Sequence, residues 1–79
     1  MTRYFLDTRD EGHIVPDFDG LELPDIHAVK IAAAKSLAEL ALHVLPGVDR
    51  RCLGVDVRDE QDRKVLTTEL TFEVRILAH

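Results

Sequence analysis

Apolar and polar residues alternate with a period of two at both ends of this chain and with a helical period in the middle. That pattern predicts strands on either side of one long helix. From Arg3 to Thr8, Tyr4 and Leu6 fall on one face, and Phe5 and Asp7 on the other. Asp10-Glu11-Gly12 reads as a turn in which Gly12 takes positive φ, and His13-Ile14-Val15 as the returning strand. Pro16 lacks a ladder donor and ends that strand or places it at an edge. Asp17-Phe18-Asp19-Gly20 is a second turn, and Leu21-Glu22-Leu23 a short extended piece before Pro24.

Asp25 is the expected helix N-cap, because its carboxylate can accept from the free amides of the first turn. The helix should run to about His43 or Leu45, where Pro46-Gly47 stops it. Ile26, Val29, Ala33, Leu37, Leu40 and Val44 step by three or four residues and form one core-facing stripe. A second apolar set, Ile31, Ala34, Ala38, Leu42 and Leu45, is centred roughly 130° away around the helix. Ala28, Lys35, Glu39 and His43 mark the remaining side.

Cys52 to Val57 is a further strand, with Leu53, Val55 and Val57 pointing one way. Asp59-Glu60-Gln61-Asp62 makes a hairpin turn. Lys64 to Ile76 then alternates without a break, a strand of about 13 residues, or ~43 Å. Such a strand outruns its neighbours, so it is expected to bend at a bulge or to pair beyond its own chain. The order β-β-(β)-α-β-β implies an α+β fold: a small antiparallel sheet with one helix across one face.

Seventy-nine residues make a single domain, residues 1–79, with a small core that gains by self-association or by a partner. The balance of 46% hydrophobic and 32% charged residues fits a folded globule and excludes a disordered chain. A net charge of −5 makes nucleic acid a poor fit as a partner. Arg50, Arg51, Arg58, Arg63, Lys64 and Arg75 could gather at one end of the last hairpin. Acids interleave with them, and cross-strand pairs to Asp56, Asp59, Glu69 and Glu73 are the expected outcome. No apolar run approaches the ~20 residues that span a membrane, and the first residues lack the apolar core of a signal peptide, so a cytoplasmic setting is expected.

Residues spread over most of the chain carry a resemblance. Arg3-Tyr4-Phe5, the acidic turn Asp10-Glu11-Gly12, and Pro16-Asp17-Phe18-Asp19-Gly20-Leu21-Glu22-Leu23-Pro24-Asp25 before alanine-rich Ala28 and Ala32 stand in this order. With Asp59-Glu60-Gln61-Asp62-Arg63, they resemble a family of small, uncharacterised bacterial proteins classed only as a domain of unknown function. The likeness spans most of the chain. Asp62 stands where the family usually has Gly, and Val29-Lys30-Ile31 where it usually has more charge. The resemblance implies the fold and brings no activity with it. A more distant likeness, through Pro16-Asp17, Gly20 and the helix, is to antitoxin domains of toxin–antitoxin pairs.

Candidate chemistry is sparse. Asp17, Asp19, Glu22 and Asp25 cluster, but Leu21 and Glu22 break the register of a calcium loop, and turn and cap duties account for three of them. His27 and His43 lie about 160° apart on the helix, and no His pair has zinc spacing. His13 and His79 are expected at the surface, His79 as a mobile terminus. Cys52 is the only cysteine and has no evident base, Ser36 lacks a nucleophile-elbow context, and the four glycines are too scattered for a phosphate loop. We therefore expect no catalytic residue, cofactor or metal. The expectation is a non-enzymatic protein-interaction module, a homodimer or a binder of another protein, with Ile31, Ala34, Ala38, Leu42 and Leu45 at the interface. The alternative is an antitoxin-like or nucleic-acid-associated regulatory module.

Overall fold

The computed structural model describes residues 1–78, which leaves His79 outside it. The elements are β1 (Thr2–Asp10), β2 (His13–Val15), β3 (Leu21–Leu23), α1 (Ile26–Val44), β4 (Arg50–Arg58) and β5 (Lys64–Glu73). The sheet is antiparallel in the order β2-β1-β4-β5, and β3 also pairs with β1. With α1 laid on one face, the architecture is the expected α+β arrangement.

Lengths match across the two layers. The 19-residue helix spans about 28 Å. The nine residues of β4 span about 30 Å, a comparable length. The core lies between them: Val29, Ala33 and Leu37 of α1 meet Leu53, Val55 and Val57 of β4. Leu40, Val44 and Leu45 pack partly buried beside it. Ile26 departs from the expected stripe and is 51% exposed, because it sits in the first turn, at the end of the packed face. Asp25 caps the helix as expected, its carboxylate accepting from the Ala28 amide at 2.8 Å. The Leu45 amide closes the other end on the Ala41 carbonyl, and Gly47 turns the chain at φ 93°.

The last strand needs a correction. It ends at Glu73, three residues short of the expected Ile76. A strand persists only where a partner supplies bonds, and β4 begins at Arg50. The final rung is the Val74 amide on the Asp49 carbonyl, 2.7 Å. The expected bulge is present at the other end, where Val57 pairs with Leu66 but Arg58 with Lys64, leaving Val65 unpaired. At the β4–β5 turn Asp62 takes φ 64°, a conformation that Asp tolerates. In the β1–β2 turn both Glu11 and Gly12 have positive φ, and only the glycine was expected to.

Candidate functional site

Along α1 the second apolar set projects away from the core. Ile31, Ala34, Ala38 and Leu42 are exposed, Leu42 to 73%, while Leu45 is half-buried against the core. Ala38, Leu42 and Leu45 join Ala41, Pro46 and Phe72 of β5 in lining an open apolar groove of about 400 Å³. Ile31 and Ala34 continue the same flank outside the groove. Phe18 does not cover this flank: it stands 83% exposed in the loop before β3. Pro46 lines the groove without closing it. Alternation alone puts Phe72 on one face of the last strand. Its place beside Leu42 follows from how α1 crosses the sheet, which periodicity does not encode.

β5 borders this groove and forms one edge of the sheet. Leu66, Thr68, Leu70 and Phe72 are half-buried on the helix side, and Val65, Thr67, Glu69, Thr71 and Glu73 are exposed on the other. Beyond it, Ile76 and Leu77 are 74% and 92% exposed.

The sheet face opposite the helix is charged. Asp7 and Asp56 are direct cross-strand partners, an arrangement that repels unless neutralised. Two arginines neutralise it diagonally. Arg9 grips Asp56 at 3.3 and 3.4 Å and donates to the Thr68 carbonyl at 3.1 Å. Arg58 grips Asp7 at 3.0 and 3.4 Å, donates to the Asp17 carbonyl at 2.8 Å, and stacks on Phe5, 4.6 Å from the ring centre. Gly54 makes room for Arg9: a Cβ there would lie 2.1 Å from the guanidinium. Burial pushes the Asp56 carboxyl up, but the Thr67 hydroxyl and Arg9 outweigh it and hold it below the usual range. Asp17 is likewise held low, burial being outweighed by the amides of Leu6, Gly20 and Asp19.

The motif residues are occupied by such structural tasks. Asp17 accepts from the amides of Leu6, Asp19 and Gly20 at 3.1 to 3.2 Å. Arg3 donates to the Asp19 carbonyl at 2.8 Å, and a Cβ on Gly20 would strike the Arg3 side chain at 2.8 Å. Asp59 accepts from the amides of Gln61 and Arg63 and from the Arg63 guanidinium, all at 2.9 to 3.0 Å.

Five of the six basic residues are paired off, and Lys64 forms no ion pair among the described residues. Arg50 and Arg75 meet Glu73, Arg51 meets Asp10, Arg58 meets Asp7, and Arg63 meets Asp59. Of the four expected acid partners, Asp56 is taken by Arg9, and Glu69 forms no ion pair among the described residues. His13, His27 and His43 are exposed and Cys52 is half-buried. Among the described residues no group of three or more His, Cys, Asp or Glu side chains could hold a metal ion. Among the described residues no helix is long and apolar enough to cross a membrane.

The chain belongs to the DUF6894 family, a domain of unknown function, whose family model covers residues 3–71. No curated protein matches the chain, and no solved structure does.

Proposed function

We propose that the chain acts through protein–protein contact as a homodimer and catalyses no reaction. The observation that carries this reading is the apolar groove of about 400 Å³ between the α1 flank and β5, with Leu42 left 73% exposed beside it. A chain this small gains stability by covering such a surface, and exposed apolar patches mark contact sites.

Light scattering across a concentration series tests the reading. A mass near twice 8.9 kDa at low micromolar concentration is expected. Leu42→Glu, which places a charge on the groove wall, is expected to weaken association about tenfold or more without unfolding the chain. A monomer at all concentrations overturns the proposal.

A further inference from the structure

The helix flank and the last strand lie on the same side of the molecule, since Ala38, Leu42, Leu45 and Phe72 line one groove. The free edge of β5 is also long, and from Leu66 to Glu73 its only charged side chains are Glu69 and Glu73. From Leu66 to Glu73 it contains no Pro, no Gly and no bulge. Natural edges are normally protected by such devices.

The direction of its free bonding groups follows from one contact. The Val74 amide bonds inward to Asp49. Antiparallel rungs alternate, so the even-numbered residues from Leu66 to Val74 bond to β4. The backbone N–H and C=O groups of Thr67, Glu69, Thr71 and Glu73 therefore point outward.

We infer that β5 pairs antiparallel with β5 of a second copy about a two-fold axis at Leu70, joining two sheets into one and bringing the two α1 flanks together over the junction. This rests on the homodimer reading and specifies its partner surface. Charge selects the register. With Leu70 opposite Leu70 of the other copy, Glu69 faces Thr71 and Thr67 faces Glu73. A slide of two residues one way sets Glu69 against Glu69; the other way sets it against Glu73. Like charges directly opposite destabilise a strand pair, so of these three registers only the central one avoids them. On the helix side the same register sets Thr68 against Phe72 and Leu66 against Val74, which is otherwise 41% exposed. The small side chains of Ala34 and Ala38 let the helices approach, and each groove is closed by the other copy.

Disulfide trapping reads the register. Directly opposed residues in a hydrogen-bonded antiparallel pair have Cα atoms about 5.5 Å apart, within disulfide range. Two single variants, Glu69→Cys and Thr71→Cys, are made in a Cys52→Ser background, because Cys52 is the cross-strand neighbour of Thr71. Oxidising the mixed variants should give a covalent dimer, while neither variant alone should. Crosslinking of either one alone overturns the register. A wild-type dimer by scattering with no crosslink in the mixture overturns the strand pairing and leaves the homodimer reading standing. A wild-type monomer overturns both.

Discussion

The two edges of this sheet are built in opposite ways. On the outer side of β1, two three-residue strands share the edge, separated by a loop containing Pro16 and Asp17. Where β1 would offer the Leu6 amide to a neighbour, the Asp17 carboxylate takes it. On the far side, β5 offers a ten-residue strand, regular from Leu66 to Glu73, with an apolar groove beside it. On the first edge the strands are short and one β1 amide between them is capped by Asp17. The second has only one bulge, at its hairpin end. The proposed pairing of β5 with a second copy rests on that contrast.

The contrast yields a double dissociation. Thr71→Pro removes an N–H that makes no bond inside the chain, so the monomer should keep its fold while the second copy loses its rung and meets the ring. We expect the dimer dissociation constant to rise about 100-fold, or about 2.7 kcal/mol, by sedimentation at graded concentrations. A variant that remains dimeric removes β5 from the interface.

Asp17→Ala should do the reverse. Three amides lose their acceptor, and the expected cost is about 2 kcal/mol of folding stability in urea, with unchanged association of the folded chain. A variant as stable as wild type would show that water serves that edge equally well.

Acid should weaken the closed edge more gently. Asp17 has a folded pKa below its unfolded value near 3.9. Its contribution is therefore complete above that value and fades as pH falls through the lower, folded one. Asp56 titrates in the same sense on the charged face. Urea midpoints measured from pH 6 down to pH 2 should fall for wild type and fall less for Asp17→Ala.

Much of this was legible before the structure because the signals are local. Alternation marked the strands, Asp25 the helix start, Pro46-Gly47 its stop, and the second stripe named three residues of the groove wall. What was not legible depends on partners distant in sequence. The end of β5 is set by where β4 begins. Asp17 reads as a turn residue, yet its bond to the Leu6 amide appears only when the loop folds back on β1. Gly54 gave no signal of its own, since its role is to leave space for Arg9 from another strand. The shared side of Leu42 and Phe72 likewise comes from packing.

The central claim, that β5 is a pairing edge, is tested most directly by amide hydrogen exchange at Glu69 and Thr71. Their N–H groups point away from the rest of the chain and should be protected only by a second copy. The account predicts protection that grows with protein concentration, in step with the dimer fraction, while the inward amides of Leu70 and Phe72 are protected throughout. Exchange of the Glu69 and Thr71 amides at the unprotected rate at every concentration would contradict it.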